Sequence, residues 1–400
     1  MRLCVGFGRR KRPCGVPRKS VTINQMTNEA PAPDTKHPQD DFEPEETESF
    51  EPIVVPFDPT KINVVREPMT IFQAVRKIGI DEIVLDPDFQ RNLVWDDRRK
   101  SRLIESILLK IPLPAFYLDA VQPEKWVVVD GLQRLSTLNA FCNLKTLKLT
   151  GLEFLGRQFE GSTFDRLPRS SQRDIEETQL TLYIIRPETP PNVKFTIFYR
   201  INTGGMVLTA QEIRHATFPG RAPQLLREMA ASQEFKTATD YSVSSKRMDD
   251  RECVLRHLAF RITPFKKYSK PDLNEFLGSA MTALNRASSS DIAVLRKEFE
   301  RAMNLCHAIF GRYAFRKFNR RYGHRAPINK ALFETWSTAV LDYPEIAVQT
   351  NAAKIVDGLE RALADDAEYL KSLSLATGGV NALSRRFTAA YQIIDAALAP

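Results

Sequence analysis

Trp126-Val127-Val128-Val129-Asp130-Gly131-Leu132-Gln133-Arg134, running on through Leu135 to Phe141, is the stretch on which the fold turns. Its first four residues are aromatic or β-branched and read as a strand. From Leu135 to Phe141 the chain reads as a helix. A polar cluster, Asp130 to Arg134, separates the two. Strand, junction and helix in this order are the unit of an α/β fold. The start of such a helix offers unpaired N–H groups and a positive dipole end to an anion. An Arg one turn inside adds a bidentate contact suited to a pair of phosphate oxygens. A plainer role is open to the same residues: Asp130 with Gln133 three positions on is an Asp version of the capping box, which satisfies helix-end donors without any ligand.

Working outward, the pattern from about residue 65 to 210 is α/β. Thr70 to Ile78 reads as a short helix with Ile71, Ala74, Val75 and Ile78 on one face. Ile83 to Leu85 reads as a strand. Asp96 or Asp97 caps a helix running to Lys110, with Leu103, Ile104, Ile107 and Leu108 as its apolar stripe, and Ile111-Pro112-Leu113-Pro114 ends it. Phe116 to Leu118, Trp126 to Val129 and Gln179 to Ile185 read as strands. Pro190-Pro191 starts a helix to about Ile201. Asn202-Thr203-Gly204-Gly205 is a turn. Thr209 and Glu212 then form a capping box, with Leu208 and Ile213 at the positions of a hydrophobic staple. Beyond about 210 the pattern is helical, with helices expected over 222–232, 249–262, 271–287, 290–310, 327–341, 352–370 and 380–398.

The net charge of +8 conceals three regions. Residues 1–20 carry +7, residues 21–51 carry −8, and the remainder carries +9. Residues 1–55 read as a disordered charged tail, Pro-rich and poor in apolar periodicity. The Arg-rich start reads as a plain solvated tail, or as an extension upstream of a true start at Met26, ahead of a nucleic-acid-binding arm or a targeting peptide. A basic body suits an anionic partner, nucleic acid first. No apolar run reaches membrane-spanning length, so a soluble, cytoplasmic chain is expected. The five Cys and five His are scattered, which argues against a disulfide framework and a Cys-based zinc site.

Two further constellations carry polar groups. Phe89-Gln90-Arg91 with Trp95 offers either donors to the same ligand as Arg134 or a loop Arg paired with a surface acid; Trp95 reads as a packing residue. Asn202-Thr203-Gly204-Gly205 with Gln211, Glu212 and Arg214 offers either an anion-holding turn or an ordinary helix connection. Together with the Asp130 junction and with Leu103-Ile104-Glu105-Ser106-Ile107, these motifs resemble the N-terminal domain of GmrSD-type restriction systems. That is a ParB/sulfiredoxin-like family marked by Asp-Gly-Gln-Gln-Arg, and the likeness runs from about Thr70 to Arg214.

The resemblance implies an α/β ParB-like nucleotide-binding domain over 65–215, followed by an all-α domain over 216–400. It implies binding of a nucleoside triphosphate with Mg²⁺, and in some members hydrolysis, in restriction or anti-phage defence. Carried over by motif, Asp130, Gln133 and Arg134 would be catalytic, with Asp130 positioning water or Mg²⁺. Gln90, Arg91, Gly131, Asn202, Thr203 and Gly204 would bind the nucleotide. Leu132 departs from the signature, where the family has Gln; at a helix start it would face the core. The nuclease module that some members carry has no convincing equivalent here, so any DNA cutting is expected from a separate nuclease subunit or from an unrecognised site, and His257, His307 and His324 read as structural or exposed.

One more nucleic-acid signal lies at 311–325, where Arg312, Arg316, Lys317, Arg320, Arg321 and Arg325 occur with no acid. Phe315, Phe318 and Tyr322 recur between them at helical spacing. A helix there would bury its aromatics and set Arg312, Arg316, Lys317, Arg320 and Arg321 against a DNA backbone. A basic face paired with acids elsewhere is the alternative. The overall expectation is an NTP-hydrolysing, DNA-targeting component. The runner-up is a non-catalytic DNA-binding module, nucleotide-switched or nucleotide-independent, and a direct DNA nickase comes last.

Overall fold

The computed structural model describes Glu43 and residues 62–85, 95–122, 124–201 and 208–399, all within a unit that runs from Asp40 to Pro400. The charged tail expected over 1–55 lies outside the described residues, Glu43 excepted.

A five-stranded sheet organises the first half. Its strands are β1 (Val64–Thr70), β2 (Ile83–Val84), β3 (Phe116–Gln122), β4 (Lys125–Asp130) and β5 (Gln179–Ile185), in the order β1-β5-β3-β4-β2. β1 and β5 are antiparallel, as are β3 and β4; β3 with β5 and β2 with β4 are parallel. Alternation decides the two faces. Phe116, Leu118, Ala120, Trp126, Val128, Leu180, Leu182 and Ile184 pack into one core. Helices α1 (Ile71–Gly79), α2 (Asp97–Leu108), α3 (Leu132–Leu138), the single turn α4 (Gly156–Phe159) and α5 (Arg169–Glu177) lie in this half, and Ile71, Ile104, Leu135 and Ile175 join the same core. The other face is covered by α6 (Pro191–Ile201), where Phe198 packs with Ile185, and Val64 and Val129 close against them.

Local chemistry sets the boundaries. Thr70 and Gln73 form a capping box for α1, and Asp96 caps α2 by accepting from the Arg99 N–H at 2.8 Å. Glu105, buried on α2, accepts the N–H groups of Glu153, Phe154 and Leu155 at 3.0, 2.7 and 2.8 Å. Burial alone would raise its carboxyl, but these three bonds together with the charge of Arg102 outweigh it and hold the group below the usual range. β1 is absent from the sequence reading for a physical reason: it is an edge strand with one buried residue, carrying Pro68 and two charges instead of an alternating pattern.

The second half is built of α7 (Ala210–Thr217), α8 (Arg221–Ala230), α9 (Gln233–Ala238), α10 (Asp249–Ile262), α11 (Leu273–Arg286), α12 (Ser289–Phe310), α13 (Lys330–Ala339), α14 (Glu345–Thr350), α15 (Ala352–Asp365), α16 (Ala367–Ser372) and α17 (Val380–Leu398). The helix expected over 352–370 is broken at Asp366, whose side chain accepts from the Tyr369 N–H at 2.8 Å and so caps α16. α10 and α13 are buried along nearly their whole length. That requires their charged residues to be paired inside. Glu334 binds Arg256 (3.3 Å) and Arg386, and Glu252 binds Arg256 (2.8 Å) and Lys330 (3.2 Å).

The expectation of an all-α second half is corrected at one place. Residues 311–325 do not form a helix. They form most of an antiparallel hairpin, β6 (Arg316–Asn319) with β7 (His324–Ile328). Gly311 (φ 53°) stops α12, and Gly323 (φ 62°) supplies the turn in the left-handed region. The strand period explains the burial of Phe318 together with Arg316, two positions apart, which a helix would have put on different faces.

Candidate functional site

The junction after β4 is arranged differently from a capping box. Asp130 is the last residue of the strand, and the residue that caps α3 is Gly131, with no side-chain cap. The alternative of an Asp130–Gln133 capping box does not form: the strand runs one residue further, and the left-handed turn (φ 98°) falls on the glycine. Only glycine fits, since a Cβ at 131 would collide with the Phe116 ring. Gly131 therefore gives the start of α3 no side-chain cap of its own. Leu132 packs against the core, as its position implied.

Arg134 lies across this junction. Its Nη1 donates to the Pro114 carbonyl, and its Nη2 donates to the Ala115 carbonyl and to Asp130 Oδ2, both at 3.1 Å. The guanidinium also sits over the Phe116 ring, 4.3 Å from its centroid. The Arg134 side chain is 12% exposed and that of Asp130 40%. Burial favours the neutral form of Arg134, and Asp130 opposes it. Arg134 therefore staples the entry of β3 to the exit of β4. Gln133 Oε1 accepts a long hydrogen bond from the Trp95 N–H at 3.4 Å, which ties the approach to α2 to the same place. Trp95 itself packs against the core.

Sequence reasoning missed the other polar residues here. Tyr117 pairs in register with Asp130 on one side and with Tyr183 on the other, and Tyr183 pairs with Arg66. The result is a row across four strands, with the two tyrosine rings stacked at 5.1 Å. Burial, the neighbouring Tyr183 and the charge of Asp130 raise the Tyr117 hydroxyl above its ordinary value. Further along β3, Asp119 and Lys194 of α6 form a buried pair at 2.5 Å. Burial lifts the Asp119 carboxyl above its usual range, although Lys194 opposes this. The signal was present: Tyr117 and Asp119 alternate with the apolar Phe116, Leu118 and Ala120.

The two remaining motifs are only partly described. Gln90, Arg91, Asn202, Thr203 and Gly204 lie outside the described residues. From Leu208 onward the second motif is in view. Thr209 and Glu212 form the capping box of α7, and Leu208 packs beside Ile213. Arg214 is buried and bonded to Gln211 Oε1 (2.9 Å) and Asn274 Oδ1 (2.8 Å).

Four of the six cations of 311–325 are engaged. Arg316 turns inward to the carbonyls of Ala326 (2.9 Å) and Thr239 (3.3 Å). Lys317 meets Glu43 at 2.5 Å, Arg320 meets Asp357 at 2.5 Å and Glu360 at 2.6 Å, and Arg325 meets Asp240 at 2.5 Å. Arg312 and Arg321 are exposed, each near a tyrosine ring, Tyr313 and Tyr322. His257 is buried, while His307 and His324 are exposed. Among the described residues no three His, Cys, Asp or Glu side chains come together as a metal site.

Residues 71–219 match the family model of the GmrSD restriction endonuclease, N-terminal domain. This segment is a GmrSD N-terminal domain. The match begins with α1 and ends just after α7, so it contains the Asp130 junction and Arg214. β1, the edge strand of the same sheet, lies before the matched residues. No curated protein and no solved structure matches the chain. No helix among the described residues is long and apolar enough to cross a membrane.

Proposed function

We propose that the protein is an NTP-binding and NTP-hydrolysing, DNA-targeting component of a restriction or anti-phage defence system, its sheet domain of the ParB-like kind. The observation that carries the site is the start of α3: a glycine-opened helix end with no side-chain cap, beside a carboxylate that is 40% exposed, inside a GmrSD N-terminal domain. The N–H groups of residues 132–134 would take phosphate oxygens, and Gln133 would orient the ligand. Mg²⁺ usually keeps most of its shell as water and substrate phosphate and takes one or two carboxylates from protein. A single exposed Asp130 fits that demand. The metal would neutralise phosphate charge. Arg134 holds the junction in place. DNA would lie on the exposed cations Arg312 and Arg321, with Lys317 and Arg320 once their acids release them. Cleavage would belong to a separate nuclease subunit.

Two observations favour binding without turnover as the second reading: Leu132 replaces a polar residue of the signature and packs inward, and Arg134 is largely committed to the fold. Asp130→Asn separates the two readings. The substitution keeps an acceptor for Arg134 and removes only the charge, so melting should hardly change. Phosphate release from NTP with Mg²⁺, with and without DNA, should fall at least about 100-fold if Asp130 positions the reacting groups. Turnover within a factor of three of wild type would remove Asp130 from the chemistry. Nucleotide binding with no turnover in wild type would select the switch.

A further inference from the structure

We propose that Lys317, Asn329 and Ser374 form an anion site that the chain's own Glu43 occupies, and that a nucleic-acid phosphate competes with Glu43 for it. The contact spans most of the chain and is built from three elements. Lys317 Nζ on β6 meets Glu43 Oε1 at 2.5 Å and Ser374 Oγ at 2.6 Å. Asn329 Nδ2, at the end of β7, donates to Glu43 Oε2 at 3.0 Å. The Glu43 N–H donates to the Ile328 carbonyl at 2.9 Å, which fixes the backbone beside the hairpin.

The site stands ready without its occupant. Asn329 is only 3% exposed, and its amide is held from both ends. Oδ1 accepts from the Leu332 N–H and Nδ2 also donates to the Leu373 carbonyl, both at 2.8 Å. A fixed amide and a lysine aimed at two oxygens of one carboxylate suit the two anionic oxygens of a phosphodiester equally well. The surrounding charges supply the reason for competition. Glu43 belongs to a stretch, 21–51, with nine acids and one base, and Lys317 belongs to a stretch, 311–325, with six bases and no acid. While Glu43 holds Lys317, that cation cannot contact a DNA backbone. This inference rests on the reading of the hairpin as a DNA contact.

The test uses the full chain, as wild type, Glu43→Gln, Lys317→Met and the double variant. Binding to duplex DNA is measured across salt, and exchange of the Glu43 amide hydrogen is followed in parallel. Glu43→Gln should bind about three- to fivefold tighter at low salt, the scale of one solvent-screened ion pair, and steepen the salt dependence by about one phosphate contact. Both effects should vanish in the Lys317→Met background. The Glu43 amide should exchange slowly in wild type and faster once DNA is saturating. Unchanged DNA affinity in Glu43→Gln, or an amide that stays protected under saturating DNA, would overturn the competition. If no form binds DNA, the DNA reading fails and the competition with it. Amide protection that is lost in Lys317→Met would then show a tie within the chain and nothing more.

Discussion

Removing the Arg134 side chain should destabilise the α/β half by about 3–4 kcal/mol, whether or not this residue touches a ligand. The figure is built from four contacts. The bond to Ala115, made by a charged donor in a partly buried place, contributes about 1.5–2 kcal/mol. The bond to Pro114, nearer solvent, contributes about 1 kcal/mol. Stacking on Phe116 adds about 0.5 kcal/mol, and the pair with the well-exposed Asp130 adds less than about 1 kcal/mol after solvent screening. Urea unfolding of Arg134→Ala and Arg134→Lys provides the assay. Trp95 and Trp126 report the α/β half by fluorescence, and far-UV circular dichroism follows the helices. Lys keeps the charge but not the planar fork that reaches two carbonyls and a carboxylate at once. It should restore only about a third of the loss. A change under about 1 kcal/mol in Arg134→Ala would refute the staple. The consequence for the site is direct. Loss of nucleotide binding in Arg134→Ala would not assign Arg134 to a phosphate, because the β3 entry and β4 exit would have lost their common support.

Gly131→Ala should cost about 2–4 kcal/mol, since it combines a left-handed backbone with a collision at Phe116, and thermal melting checks this. Glu334→Ala leaves Arg256 and Arg386 buried without their shared carboxylate. A loss of about 3–5 kcal/mol is expected in urea, and a milder effect would mean that water reaches the network. Burial, reinforced by Arg261, pushes the His257 imidazole down to about 3 from its ordinary 6.5. The unfolded chain therefore takes up a proton that the folded chain refuses. The stability due to neutral His257 is complete above 6.5 and falls toward the folded value, at about 1.4 kcal/mol per pH unit. His257→Gln should flatten the decline measured between about pH 6.5 and about pH 5; an unchanged slope would assign it to other groups.

Where one apolar period ran without interruption, the sequence was enough. α10, α17 and β5 have the bounds expected from their patterns, and α2 and α7 carry the expected caps. Errors arose where two signals competed. At 311–325 the aromatic spacing suited a helix, but Gly311 and Gly323 sit in the left-handed region and turn the chain into a hairpin. At 352–370 a single capping Asp divided an apolar stripe that a helix could have followed unbroken. At the junction, Asp130 and Gln133 had the spacing of a capping box. The Gly between them took the cap because the Phe116 ring leaves no room for a side chain there. That contact comes from a different strand, and local sequence cannot register it. The same limit hid the Lys194–Asp119 pair, which joins positions 75 residues apart.

The family match ends at residue 219, but the network that satisfies α7 does not. α7 lies within residues 71–219, yet much of what satisfies its charges comes from beyond them. Glu212 meets Arg247 at 3.2 Å, Arg214 donates to Asn274, and Glu252 lies 3.9 Å from the same guanidinium. Burial alone would raise the Glu252 carboxyl, but Lys330, Arg256 and Arg214 outweigh it and hold it well below the usual range. A chain ended at 219 would keep Glu212 and Arg214 and lose all of these partners. Each would then have to be solvated or left uncompensated, which is the costly way to break a buried pair. Arg214 also lies close to the Asn202–Gly205 motif in sequence and bonds into a network that reaches Glu334 and Arg386 through Arg256. A shift of α7 would therefore have to break or move with that network. The physical unit to which α7 belongs thus includes α10 and α13 as well as the sheet domain.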